Sequence, residues 1–285
     1  MTKPCWVLAL ILFSTISTFG QVQSQDDHDD LAPVLAGYAI VSPTFPTTSL
    51  VVTETFGLRK TGTTATQAGV VAPPLVTSAF MFVDVSDRLL KNLGISIVNP
   101  NAASADVTIT LRRTDGIVLA TKIITIPTRR QFVAFVTEIF PKPLPGDFGS
   151  GPQLPAEFRG TLAFTSTQAV SVIALRFRGE SFSTMPLIPV TVSNQPFPVI
   201  ATGVGGAGAV LAPQFAAGGG WATELILTNA GPNTITVRVD IFRLDGTPLT
   251  TALNGINGST FANITILPGA VVVLAPRERN GDDDF

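Results

Sequence analysis

The sequence predicts an all-β protein made of two antiparallel β-sandwiches, one continuous and one discontinuous. Three observations carry this. Apolar and polar residues alternate in run after run, as in Gly94-Ile-Ser-Ile-Val98, Val107-Thr-Ile-Thr-Leu111, Ser171-Val-Ile-Ala-Leu-Arg-Phe177 and Val237-Arg-Val-Asp-Ile241. Side chains of a strand point alternately to its two faces, so such runs read as half-buried strands. Thr is abundant, and 22 Pro and 25 Gly recur at short intervals, as joints between many short strands require. Finally, one pattern occurs twice at an offset of 130 residues: Asn99 precedes Asp115-Gly116, and Asn229 precedes Asp245-Gly246, with an alternating run and an Arg between.

Taken in chain order, residues 1–24 read as a secretory signal. Lys3 gives a short positive region, Trp6-Val-Leu-Ala-Leu-Ile-Leu-Phe13 the apolar stretch, and Gly20 or Ser24 a small-residue cleavage point. The apolar run is too short for a permanent membrane span. The single cysteine, Cys5, lies inside this signal and before its apolar run, where a lipid-attachment cysteine would have to follow. The exported chain is therefore expected to have no disulfide, thiolate metal ligand or thiol nucleophile, and its core must hold it together, which fits a bacterial exported protein. Residues 25–33 form an acidic leader around Asp26-Asp-His-Asp-Asp30, and residues 278–285 an acidic tail ending Asp282-Asp-Asp284-Phe285. Between residues 31 and 277 there are 16 Lys/Arg and 12 Asp/Glu, so a mildly basic body carries acidic, solvated tips. With 45% apolar and 13% charged residues the body has ample core material, and a net charge of −2 argues against nucleic acid as a partner.

The Asp-Gly pairs each sit between two alternating runs and are expected to turn two-residue hairpins, with positive φ at both central residues. Asn99 and Asn229 each close a strand. Ile124-Thr-Ile-Pro-Thr128 matches Ile264-Thr-Ile-Leu-Pro-Gly269, with extra residues around Asn254-Gly-Ile-Asn-Gly258. Phe132 to Phe140 is expected to be a short helical or extended segment. The first copy continues through Arg159-Gly-Thr-Leu-Ala-Phe164 and Val172-Ile-Ala-Leu-Arg-Phe177; the second has no such continuation up to Leu274-Ala-Pro276. Its counterpart lies upstream, because Ala36-Gly-Tyr-Ala-Ile-Val-Ser42 resembles Arg159 to Ser166 and Leu50 to Arg59 resembles Val170 to Arg176. Half a sandwich leaves an open strand edge and an uncovered apolar face. The expected domains are therefore a continuous sandwich over 76–199 and a discontinuous one from 34–75 plus 200–277. The alternative is pairing of the halves between molecules.

The unit Phe82 to Val85, Gly94 to Pro100, Val107 to Gly116, Phe135 to Phe140, Gly160 to Leu162 and Ala174 to Arg176 resembles the tandem immunoglobulin-like repeat units of exported proteins from acidobacteria-like soil bacteria. The resemblance covers most of 76–190 and parts of both flanks. It implies an extracellular immunoglobulin-like module and no defined activity. The second copy departs from it at Gly218-Gly-Gly-Trp221, where the first has Leu89-Leu-Lys-Asn92.

Motifs with chemical meaning are few. His28, the only histidine, lies in the acidic leader, so Ser-His and His-metal schemes have no histidine in the body. Gly203-Val-Gly-Gly-Ala-Gly208 matches G-x-G-x-x-G by letter, but Pro213 and Gly218 to Gly220 forbid the helix a dinucleotide site needs; it reads as a connector. Asp84, Asp87, Glu138, Glu157, Glu180, Glu224 and Asp240 are scattered, with no two paired by spacing. Arg112, Arg113, Arg129 and Arg130 are expected near one region of the first sandwich as solvated charges or as an anionic-ligand patch. Phe285 does not signal an outer-membrane barrel, since Asn280-Gly-Asp-Asp-Asp284 is no lipid-facing strand. The expectation is a secreted or periplasmic, non-enzymatic structural or adhesive protein at the cell surface, with no catalytic, cofactor or metal residues and no membrane span after cleavage. Its partner would be a cell-surface glycan or another copy of itself. The alternatives are a carbohydrate-binding or glycan-acting protein, for which Trp221 is a candidate contact, and a remnant of a longer surface repeat protein.

Overall fold

A computed structural model describes residues 37–42, 51–60, 63–142, 153–190, 210, 212, 214–217 and 222–276. The leader, both acidic tips, His28, the glycine run 203–208, Trp221 and Phe285 lie outside these. The chain is all-β and antiparallel, and among the described residues its only helix is one turn, α1 (Val136–Ile139). No described helix is long and apolar enough to cross a membrane.

A hairpin of β1 (Thr53–Lys60) and β2 (Thr63–Val71) comes first. There follow β3 (Val76–Ser86), β4 (Lys91–Asn99), β5 (Ala105–Arg113), β6 (Val118–Ile126), β7 (Arg130–Phe135), then α1, β8 (Glu157–Arg178), β9 (Ser181–Met185) and β10 (Ile188–Pro189). These eight strands form one hydrogen-bonded set. Its centre is β8, which is 22 residues long. The first half of β8 lies between β3 and β5, and the second half between β4 and β9. Its even-numbered apolar residues Phe158, Leu162, Phe164, Val170, Val172 and Ala174 are buried in both halves of the strand. They meet Ile95 and Ile97 from β4 and Val107, Ile109 and Leu111 from β5 in one core. A period-two pattern held over so long a strand lets one element serve two groups of strands around a shared interior. The Phe132 to Phe140 segment resolves into β7 followed by α1, whose Glu138 carboxylate accepts from the Phe135 N–H at 2.7 Å and so caps the turn.

The later strands are β11 (Leu225–Thr228), β12 (Ile235–Asp240), β13 (Thr251–Leu253), β14 (Ile256–Gly258), β15 (Thr260–Ile266) and β16 (Val271–Leu274). They repeat the earlier ones in register. Ile95 pairs with Ala134, and Leu225 with Leu274; Ala105 pairs with Ile126, and Ile235 with Ile266. Thus β11, β12, β15 and β16 pair with one another as β4, β5, β6 and β7 do, and the two groups are called the second and the first copy; the β13–β14 hairpin holds the extra residues.

The Asn residues do the same work in both copies. The Asn99 side-chain amide donates to the carbonyls of Ala103 at 2.8 Å and Ile126 at 3.0 Å, and its oxygen accepts from the Asn101 N–H. Asn229 donates to Asn233 at 2.8 Å and Ile266 at 3.0 Å and accepts from Gly231. Each is a buried plug that ties the end of one strand to the end of another.

The Asp-Gly turns differ from expectation. Gly116 lies at φ 84° and Gly246 at φ 82°, and neither Asp115 nor Asp245 is among the positive-φ residues. The Gly116 N–H donates to Arg113, and the Gly246 N–H to Arg243. The loops are therefore one residue longer, with the glycine as bulge. The physical reason is an extra acceptor: Asp115 Oδ1 takes the Ile117 N–H at 3.0 Å and Asp245 Oδ1 the Thr247 N–H at 2.9 Å.

The four arginines are not gathered either. Arg112 and Arg113 flank the turn at one end of β6, and Arg129 and Arg130 lie beyond its other end. Nine residues of extended chain separate the two ends by roughly 30 Å.

Candidate functional site

The second copy docks on the first through the turn between β15 and β16. The Thr161 hydroxyl donates to the Gly269 carbonyl at 2.8 Å, and the Val271 N–H donates to Thr114 at 3.0 Å. The fit is close at two glycines. A Cβ on Gly116 would lie 2.3 Å from the Pro268 oxygen, and one on Gly269 would lie 2.9 Å from Arg112 Cδ. Val271, Val273 and Ala275 join the core of the first copy. This explains why Thr161, an odd-numbered residue of β8 pointing away from that core, is fully buried.

The same contact occurs once more, upstream. The Tyr38 hydroxyl donates to the Arg129 carbonyl at 3.0 Å. Arg129 is the counterpart of Gly269 in the first copy, and both have positive φ, at 52° and 71°. Tyr38 follows Gly37 as Thr161 follows Gly160, so residues 37–42 touch the first copy as the start of β8 touches the second. Elsewhere, the Thr66 hydroxyl accepts from the Phe182 N–H at 3.3 Å, which sets β2 beside β9.

Beside the docking turn lies a buried charge cluster. Arg176 on β8 donates through Nε to Asp84 Oδ1 at 2.9 Å and through Nη2 to Asp84 Oδ2. Its Nη1 reaches Glu224 Oε2 at 3.2 Å, and Lys91 Nζ lies 3.5 Å from Asp84. Arg176 also sits 5.8 Å from the Phe82 ring centre. Burial alone would lower the Arg176 pKa, but the hydrogen bonds and charges of Asp84 and Glu224 more than offset it and hold the guanidinium above its usual value. Two cations thus meet two anions, and Asp84, with both oxygens on one guanidinium, is held as a structural carboxylate. Glu224 precedes β11, so the cluster also fastens the second copy to the first.

Asp84, Ser86, Lys91, Thr114, Glu157 and Arg159 line an open cleft of about 360 Å³. Two of its polar groups hold the β3–β4 turn: Ser86 donates to Glu157 at 2.9 Å, and Glu157 also accepts the Arg88 N–H.

Of the scattered carboxylates, Asp84 and Glu224 are brought to one arginine, and Glu157 lines the same cleft as Asp84. Asp87 pairs with Lys142, Glu138 caps α1, and Asp240 pairs with Arg238. No group of His, Cys, Asp and Glu that could hold a metal exists among the described residues. The charge cluster had no sequence signal, since Arg176 lies 92 residues from Asp84 and 48 from Glu224.

No family model and no curated protein matches the chain. Among solved structures, the crystal structure of Thermotoga maritima 1070 is similar over 40% of this chain and 92% of its own, at 12% identity and a TM-score of 0.29. At that score the likeness decides neither architecture nor activity.

Proposed function

We propose that this is an exported, non-enzymatic structural or adhesive protein of the cell surface or periplasm, built from tandem immunoglobulin-like sandwiches. The observation that carries this reading is the repeated copy-to-copy contact, Thr161 to Gly269 and Tyr38 to Arg129. A chain whose units touch their neighbours in one recurring way is organised as a linear array, with stability summed from unit and neighbour terms. Lys3 and the apolar run to Phe13 support export. Arg176, Asp84 and Glu224, buried charges of the kind that could do chemistry, instead join the two copies, which supports the reading.

Expression with the leader intact, followed by fractionation and protease accessibility on whole cells, tests the reading. The chain should reach the periplasm or surface and stay attached there without binding insoluble glycan; glycan binding that is lost in Trp221→Ala would favour the carbohydrate-binding alternative. Retention in the cytoplasm would remove the export half of the reading, and catalytic sugar release would replace it with the glycan-acting alternative.

A further inference from the structure

Among the described residues β8 closes the first copy of the repeat and no strand closes the second; we propose that residues 37–60 of a second molecule fill the opening and that the chains join head to tail. This rests on the reading above as a structural array and names its partner.

In the first copy, β8 occupies the edges of both β5 and β4. Their counterparts β12 and β11 pair only with β15 and β16 among the described residues. The consequence shows in burial. Ala105, Val107 and Ile109 are each 0% exposed, whereas their counterpart Ile235 is 38% exposed and Val237 and Val239 are only half-buried. Open edges carrying half-covered apolar residues are what a donated strand covers.

The occupant is named by the first copy itself. The strand that fills this place there is β8, followed by the hairpin into β9. Residues 36–42 resemble the start of β8, residues 50–59 resemble its second half, and β1 leads into β2 as β8 leads into β9. Val41, the counterpart of the buried Phe164, is 56% exposed here. The Tyr38 to Arg129 contact shows that this segment already stands where a preceding copy would end.

Geometry directs the donation to another molecule. Tyr38 touches the first copy at Arg129, and the second copy touches it at Thr114, at opposite ends of β6. Filling the opening within one chain would break the Tyr38 contact and carry the segment along the whole of β6. Filling it from a second chain keeps every copy-to-copy contact and adds one more. The contact is heterologous, so it propagates.

Two glycines mark the joint. A Cβ on Gly160 would fall 1.9 Å from the Arg112 oxygen, and one on Gly116 2.3 Å from Pro268; their counterparts Gly37 and Gly246 have nothing within 4 Å. In the joined state Gly37 meets the backbone of Phe242, the counterpart of Arg112, and needs to be glycine.

Light scattering of the purified full chain over a tenfold concentration range tests this. Open-ended association raises the mean mass about threefold over that range by mass action. The variant Gly37→Val, whose side chain meets open space in the single chain, should keep its circular dichroism and lose the growth. A synthetic peptide of residues 36–60 should cap the wild-type assemblies and shrink them, and the same peptide with Gly37→Val should not. A constant monomer mass for the wild type, or growth unchanged in Gly37→Val and by the peptide, overturns the proposal. Neither result touches export, so the two readings fail separately.

Discussion

Thr161 on β8 and the Gly269 carbonyl, 108 residues apart, share a buried 2.8 Å hydrogen bond that locks the second copy of the repeat onto the first. Removing the donor leaves a buried carbonyl unpaired. Thr161→Val should therefore cost about 1–3 kcal/mol in urea unfolding. Amide exchange should quicken in β15 and β16 more than in β4 and β5, because the loss falls on docking. Uniform quickening would show that the two copies unfold as one.

The Asn plugs should be sensitive polar positions. Asn99→Ala strands the carbonyls of Ala103, Ile126 and Pro127, all now bonded to Nδ2. A loss of about 2–3 kcal/mol is expected. Asn99→Asp should be worse, since it sets a carboxylate oxygen against those carbonyls. The same order is expected at Asn229, and a tolerated Asn229→Asp would show that the two plugs are not equivalent.

Arg176→Met removes the cation from between Asp84 and Glu224, both nearly buried, and should cost about 3–5 kcal/mol. Pairing it with Asp84→Asn should recover part of that loss. Strictly additive losses would mean that the bond contributes little beyond packing.

The turn aspartates should set a modest acid limit. The Arg113 side chain, then the Ile117 N–H, hold the Asp115 carboxyl below its ordinary 3.8. Thr247 does the same for Asp245 through its hydroxyl and N–H. Both folded values are depressed, so the stabilisation is present above about pH 3.8 and is lost as pH falls through the folded values. Both groups are solvent-exposed, so the effect is small and weakens with salt. Carboxyl NMR titration should show midpoints below 3.8 at both positions. Ordinary midpoints would remove the turn's part in acid unfolding.

Much of this was legible in the residues. Alternation placed β4, β5, β8 and β12, because the side-chain period of a strand is set by the backbone alone. The 130-residue offset picked out strands that pair in matching register, and the Asn and Asp-Gly positions marked their ends. Even the likeness of Ala36 to Ser42 to the start of β8 was visible, and the Tyr38 contact gives it a meaning. These signals are local, carried by residues within a few positions of each other.

Tertiary structure alone decided the rest. It put Arg112 and Arg129 at opposite ends of β6, and gathered Asp84, Lys91, Arg176 and Glu224 around one buried cluster. It also buried the outward side of β8 at Thr161. Such juxtapositions depend on the course of a 22-residue strand and on the docking of one copy on another. Both are sums over many residues, and no short stretch of sequence contains them.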